Sequence, residues 1–306
     1  MLNTALNELT VVIPTYNEEE AIGAVIDELV EVGVPRDRIL VVDGYSTDRT
    51  REVASSRGVK VILQEGRGKA GALRTAFKYV STEYFLVMDG DYTYPAKHVH
   101  DLLRAANGRG LDEVIGARVY SKGSQSPIYR LGNRVLTKIF NVVFGTSLTD
   151  VLSGMYIIRR DALADALFLS RGFSIEAEIA AHIASTTGRI GEVPIGYRRR
   201  IGRKKLGIPH GLIIARDIVK LAWSYNPAFM IFIAASLLII PGLVMGSWVA
   251  YNYFFKGIKY YVKGVISVIM TLTGFNSFLL AIMALYIKRM ELRIRKMLRG
   301  RAGRST

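Results

Sequence analysis

Short apolar runs alternate along the first part of the chain with longer stretches whose apolar residues recur every three or four positions. The runs are Leu9–Ile13, Ile39–Val42, Val59–Leu63, Phe85–Met88 and Val114–Gly116, and they predict buried strands. The stretches near 18–32, 47–57, 69–80 and 96–108 predict the helices between them. Strand–helix alternation predicts an α/β domain: a mostly parallel sheet, helices on both faces, right-handed crossovers. Such sheets bind ligands beyond the C-terminal ends of their strands, so the loops following each run are where chemistry is expected.

The pattern then changes. Residues 228–255 and 264–287 carry no charged side chain. At ~1.5 Å per residue they reach ~42 and ~36 Å, enough for a ~30 Å hydrocarbon core with some tilt. The connection from Lys256 to Lys263 is short, so the two form a hairpin, with a kink expected at Pro241-Gly242. Just before it, residues 208–225 have mixed apolar and charged faces ending in Trp223 and Tyr225. They read equally as a juxtamembrane interfacial helix and as a surface helix of the first domain. The expected organisation is the α/β domain over 1–207, the juxtamembrane helix at 208–225, a transmembrane hairpin over 226–287 and a basic tail at 288–306.

Composition sharpens this picture. The net charge is +15, which invites a nucleic-acid reading. The excess, however, sits in 198–220 and 288–306, each with eight Lys/Arg and one acid, and in the three hairpin lysines. The remainder, mainly 1–197, is close to neutral, and nucleic acid is excluded as a partner. By the positive-inside rule the basic tail, and with it the first domain and both termini, is cytoplasmic. There is no cysteine, so no disulfide framework or thiolate chemistry, which fits a reducing compartment. The first eight residues lack the charged and apolar regions of a signal peptide.

Four loops fall on one rim of the predicted sheet. They are Pro14-Thr15-Tyr16-Asn17-Glu18, Asp43-Gly44-Tyr45-Ser46-Thr47-Asp48, Gly66-Arg67-Gly68-Lys69-Ala70-Gly71 and Asp89-Gly90-Asp91. Asp89 and Asp91 can share a hard divalent cation, which is usually held by one or two carboxylates plus substrate phosphates. Together the loops supply carboxylates, amides and cations for a nucleotide diphosphate with a metal. The third loop also matches Gly-x-Gly-x-x-Gly, but it follows the third strand rather than the first. With no hydride-transfer partner in view, a dinucleotide oxidoreductase is set aside.

In this order the loops resemble the inverting family 2 glycosyltransferases of GT-A type, and more closely their membrane-attached polyprenyl- and dolichyl-phosphate sugar synthases. Val11-Val12-Ile13-Pro14-Thr15-Tyr16-Asn17-Glu18-Glu19 resembles the first family motif, and Met88-Asp89-Gly90-Asp91 the Asp-x-Asp step. Val42–Asp48 resembles Asp-Asp-Gly-Ser-x-Asp, with Gly44 and Tyr45 replacing the second Asp and the Gly. Gly68–Arg74, Gly116-Ala117-Arg118, Arg130–Arg134, Asp150–Gly154, Phe173 with Glu176–Glu178, and Glu192–Ile195 resemble later segments. So does Arg200–Leu206, with Lys204 at the usual Ser.

The resemblance implies a Rossmann-like GT-A fold and a role for each matching residue. Pro14, Tyr16, Glu18 and Asp43 would contact the nucleoside, with Lys69 near the same pocket. Asp89 and Asp91, with Gly90 between them, would hold Mg²⁺ or Mn²⁺ on the diphosphate. Some relatives add a Gln ligand two residues on, where this chain has Thr93. Arg118 and Arg130 would bind the acceptor phosphate, and Arg200 and Lys205 would close over the diphosphate. The family's acidic base would correspond to Glu176 or Glu178, of which Glu178 is carried here as the catalytic candidate.

The implied reaction moves a hexosyl group, with inversion, from UDP-glucose, UDP-N-acetylglucosamine or GDP-mannose to dolichyl or polyprenyl phosphate. A lipid monophosphate needs no general base, because its second pKa of ~6 leaves it ionised at neutral pH. It needs cations, and guanidinium forks suit it better than lysine. None of the four histidines is assigned to catalysis. Two alternatives stay open: extension of a lipid-linked oligosaccharide or polysaccharide, and a non-catalytic membrane accessory protein.

Overall fold

The computed structural model describes residues 6, 8–121, 123–164, 166, 175–202 and 209–302. They form two compact units, one up to Leu221 and one from Ala222 onward.

The first unit is built on seven strands: β1 Leu9–Thr15, β2 Ile39–Asp43, β3 Lys60–Leu63, β4 Tyr84–Val87, β5 Glu113–Tyr120, β6 Tyr156–Arg159 and β7 Ile190–Tyr197. Their order across the sheet is β3-β2-β1-β4-β6-β5-β7. All pairings are parallel except those of β6, which runs antiparallel to both β4 and β5. The unit's helices are α1 Ile22–Glu31, α2 Thr50–Ser56, α3 Gly68–Tyr79, α4 Val99–Arg109, α5 Pro127–Phe144 and α6 Ile175–Thr186, and α7 Pro209–Tyr225 runs from the first unit into the second. The expected mostly parallel α/β sheet is therefore present. β6 and β7 were not among the apolar runs read as strands: β6 has only Ile157 and Ile158 between Tyr156 and Arg159, and Glu192 and Pro194 interrupt β7.

Val11, Ile13, Val41, Leu86, Val114 and Ile157 bury one face of the sheet against Ile22, Ile26 and Leu29 of α1 and Leu102 of α4. β1 connects to β2 on one side, while β4, its neighbour on the other side, connects onward away from it, so a crevice opens beyond the C-terminal end of β1. Pro14 sits inside β1 without breaking it. Its position faces the β4 side, as Val12 does, whose carbonyl accepts from Met88. The β1–β4 pairing stops at Val12–Val87, so the N–H that proline lacks has no ladder partner to lose.

The second unit is a helical hairpin, α8 Pro227–Lys256 and α9 Tyr261–Ala302. Within Pro227–Lys256 and Tyr261–Lys288, an apolar stretch of 18 residues has a mean hydropathy of 2.5 and 2.0 respectively, and 17% of each stretch is buried. Both are long and apolar enough to cross a membrane, and neither has the burial of a soluble core helix. Pro241 stands within α8, and α9 continues without a break from the second apolar segment into the basic tail. The two helices meet through small residues. A Cβ at Gly242 would come within 2.6 Å of Thr271 Oγ1, and one at Gly274 within 2.6 Å of Ile239 Cγ1. Such close backbone approach is how apolar helices associate without a hydrophobic drive.

Candidate active site

The first two rim loops are locked to each other. Asn17, at φ 51°, donates from its N–H to Ser46 Oγ at 2.8 Å and accepts at Oδ1 from Thr47 N–H at 2.8 Å. Glu18 N–H donates to Thr50 Oγ1 at 2.8 Å. Asp43 is fully buried at the end of β2, accepts from Ser46 N–H at 2.8 Å and lies 3.8 Å from Arg51 Nε. It fixes the loop, while Tyr16 and Tyr45 stand half-exposed above it. Tyr45, where the resembled motif carries Gly, has φ 65°. The position still demands the left-handed backbone that glycine supplies freely, and a tyrosine adopts it here at a strain cost.

Beyond β4 the two aspartates split between two ion-pair clusters. Lys69, one residue into α3, places Nζ 2.5 Å from Asp89 Oδ1 and 2.6 Å from Glu176 Oε1. Burial works to lower the Lys69 pKa, but the Asp89 and Glu176 carboxylates outweigh it and hold the ammonium charged well above its ordinary range. Glu176 is pushed up by burial, with Lys69 opposing. In the second cluster Arg200 NH1 lies 2.9 Å from Asp91 Oδ2 while its NH2 donates to Glu18. Asp91 is pushed up by burial and by Asp89, with Arg200 pulling the other way. Thr93 donates to Asp91 Oδ1 from both Oγ1 and N–H, so at this position it holds Asp91 in place.

The glycines of this rim are packing residues. A Cβ on Gly90 would meet Thr15 Cγ2 at 3.0 Å, so Gly90 lets the Asp-Gly-Asp step pass close to β1. A Cβ on Gly154 would meet Asp89 Oδ2 at 2.0 Å. Gly154 in turn donates its N–H to Tyr94 Oη at 2.6 Å.

The two predicted acceptor arginines converge on one ring. Arg118 on β5 and Arg130 on α5 hold their guanidinium carbons 5.8 and 4.8 Å from the Tyr120 centroid. Arg118 also forms a fork with Asp150, at 2.6 and 2.8 Å, which Asn133 joins at 2.7 Å. Tyr197 lies on the same guanidinium at 5.4 Å. Burial pushes the Tyr120 hydroxyl up to about 12, with Arg118 opposing, so it remains protonated.

Pro14, Tyr16, Glu18, Asp43, Lys69, Asp89, Gly90, Asp91 and Arg200 are thus gathered at or beside the crevice. Lys205 lies outside the described residues. The two α6 acids separate: residues two apart on a helix point about 200° from each other. Glu176 faces Lys69, and Glu178 is buried elsewhere on the helix. Asp150, Tyr94, Tyr120 and Tyr197 belong to the site without a chemical motif of their own. Asp150 alone left a trace, in the Asp-x-x-Ser-Gly segment.

Among the described residues no three of His, Asp and Glu converge as a ready metal cage. Asp89 and Asp91 still offer the hard oxygen donors that Mg²⁺ or Mn²⁺ takes, in the number suited to completion by diphosphate oxygens and water. The residues fit such an ion.

Residues 10–167 match the family described as Glycosyl transferase family 2. The glycosyltransferase AglJ of Haloferax volcanii is 33% identical over 267 residues, covering 85% of this chain and 87% of the relative. A dolichyl-phosphate hexose transferase of the same organism is 33% identical over 222 residues, 72% of this chain and 96% of the relative. The fold is similar to glucosyl-3-phosphoglycerate synthase from Mycobacterium tuberculosis, solved with Mn²⁺, UDP-glucose and phosphoglyceric acid. That match has a TM-score of 0.59 at 24% identity, over 73% of this chain and 82% of the other.

Proposed function

The chain belongs to glycosyl transferase family 2, and from that premise we propose that it transfers a hexosyl group, with inversion, from a nucleotide sugar to dolichyl or polyprenyl phosphate. The observation that carries this reading is the split of cations over one crevice. Lys69 and Arg200 hold the Asp89/Asp91 pair, and Arg118 and Arg130 gather at Tyr120. The name of the dolichyl-phosphate relative supports the acceptor. The UDP-glucose complex of the structural neighbour is consistent with a nucleotide-sugar donor. UDP-glucose, UDP-N-acetylglucosamine and GDP-mannose are the donor candidates.

In this reading Asp89 and Asp91 would hold Mg²⁺ or Mn²⁺, and such an ion would supply Lewis-acid neutralisation of the leaving diphosphate. Lys69 and Arg200 are already charged and close by. They exchange carboxylate partners for diphosphate oxygens, stabilising the charge that builds as the glycosidic bond breaks. Glu18 and Glu176 hold those cations in position beforehand. Arg118 and Arg130 orient the acceptor phosphate, whose oxygen attacks without proton removal. Glu176, tied to Lys69, acts through that lysine and not as a base. The apolar hairpin keeps the enzyme where polyprenyl phosphates reside, with the catalytic domain and both termini cytoplasmic.

The test is a panel of radiolabelled nucleotide sugars given to membranes containing the protein and polyprenyl phosphate, with and without EDTA. EDTA-sensitive label in the organic phase is the expected result. Label on a sugar hydroxyl, with none on polyprenyl phosphate, overturns the acceptor assignment.

A further inference from the structure

A buried hydroxyl beside the Lys69 cluster has nothing to hold. Tyr156 on β6 is 1% exposed, and its Oη has no hydrogen-bond partner among the described residues. Tyr156 pairs with Val87 of β4 and Ile115 of β5, so its side chain leaves the sheet on the face opposite the α1 and α4 core. Alternation from Val87 brings Asp89 to that same face, where Lys69 bridges Asp89 and Glu176. Burial, and after it the charge of Glu176, push the Tyr156 hydroxyl well above its ordinary range, with Lys69 opposing, so it keeps its proton. A buried donor with no acceptor destabilises the ligand-free fold, so its use lies in another state of the site.

We propose that Tyr156 is a positioning residue whose hydroxyl donates to Glu176 once Lys69 turns to the donor diphosphate. The inference rests on the reading that Lys69 exchanges its carboxylate partners for diphosphate oxygens. That exchange takes the cation from Glu176, whose side chain is only 8% exposed. A buried carboxylate without a partner opposes the exchange. A hydroxyl donor waiting beside it lowers that opposition, because hydrogen bonds to an ionised group are about twice as strong as neutral ones. Asp89 has a second partner in the metal it would hold, and Glu176 has none. Glu113 lies on the same face of the sheet, but burial alone acts on it, so the departure of Lys69 changes nothing there. The Tyr156 ring is sealed from the crevice, so it acts through Glu176 and does not touch the donor.

Tyr156→Phe removes the hydroxyl and keeps the ring. UDP and GDP, each with Mn²⁺, are titrated by calorimetry into the full chain in detergent, and the diphosphate that the parent binds more tightly is carried through the variants. Tyr156→Phe should weaken its binding about ten- to a hundredfold, the worth of a hydrogen bond to a charged group. The ligand-free melting temperature should be no lower than the parent's. In a Glu176→Gln protein the same substitution should change affinity by under about twofold, because a neutral amide forms no charge-assisted bond. A second arm needs no nucleotide. Lys69→Met leaves Glu176 permanently without its cation, so in that background Tyr156→Phe should lower the melting temperature. Diphosphate affinity unchanged by Tyr156→Phe overturns the proposal, as does an equal loss in the Glu176→Gln protein or an unchanged melting temperature in the Lys69→Met protein. A parent that binds neither diphosphate sinks the transferase reading and this inference with it. A parent that binds one, with Phe and Tyr alike, sinks this inference alone.

Discussion

Lys69 Nζ stands 2.6 Å from Glu176 Oε1, and this contact joins the helix after β3 to α6 beneath Asp89. Lys69 and Glu176 keep only 14% and 8% of their side chains exposed, so each is charged at the expense of lost hydration and is repaid by the other. Lys69→Met leaves Glu176 without its cation and should cost about 3–5 kcal/mol, read by thermal or chemical denaturation of the full chain. Adding Glu176→Gln should recover part of that loss, because the isostere no longer needs a counter-charge. A Lys69→Met protein as stable as the parent would show that the contact is not formed.

Gly154 is the floor under Asp89. The Cβ of Gly154→Ala would overlap Asp89 Oδ2, and the carboxylate must turn away. Misplacement of a catalytic group by ~1 Å costs about 10²-fold in rate. Transfer should fall by that order, and Mn²⁺ affinity measured by calorimetry should fall with it while the melting temperature changes little. Unaltered Mn²⁺ binding would separate Asp89 from the metal.

Much of this arrangement could be read from the chain, and the unread part has a common cause. Strands β1, β2 and β4 are dense apolar runs buried on both faces, and their C-terminal loops carry recognisable chemistry. The arginines Arg118 and Arg130 could be named, but not their meeting at Tyr120, which depends on the pairing of β5 with β7 and the return of α5. Glu176 and Glu178 differ only in helical phase, and phase is fixed by which side of α6 packs down. Gly90 reads as a ligand neighbour in sequence, and its packing against Thr15 and Ile13 is a tertiary fact. β6 reverses direction within the sheet, and four residues of Tyr-Ile-Ile-Arg carry no sign of orientation.

Arg200 holds Glu18 and Asp91 together before any donor arrives. A metal binding to the unliganded enzyme must compete with that guanidinium for Asp91. Arg200→Ala should therefore tighten Mn²⁺ binding in the absence of nucleotide. It should weaken nucleotide-sugar binding and lower kcat, because the cation that answers the diphosphate is gone. Opposite signs in the two measurements are the signature. A parallel loss of both would place Arg200 in a purely structural role.

Arg118 meets Asp150 as a two-pronged fork, and lysine cannot reproduce that geometry. Arg118→Lys should raise the KM for polyprenyl phosphate by about ten- to a hundredfold, the worth of a hydrogen bond to a charged group. The KM for the nucleotide sugar should stay within about twofold, a shift of under ~0.5 kcal/mol. Equal effects on both constants would remove Arg118 from the acceptor side.

Glu113 gives the domain a pH-dependent stability. It is 1% exposed on β5, its Oε2 has no hydrogen-bond partner among the described residues, and burial alone raises its pKa well above the ordinary 4.5. Below pH 4.5 both folded and unfolded chains hold the proton, and its contribution is fully present. As pH rises, the unfolded chain ionises first, so stability falls by about 1.4 kcal/mol per pH unit until the folded group also titrates. Glu113→Gln removes this dependence while keeping the shape. The variant should melt close to the parent at about pH 4 and clearly above it at about pH 8, followed by circular dichroism of the full chain in detergent. Two melting curves that stay parallel across that range would mean that Glu113 is ionised in the folded protein and has a counter-charge.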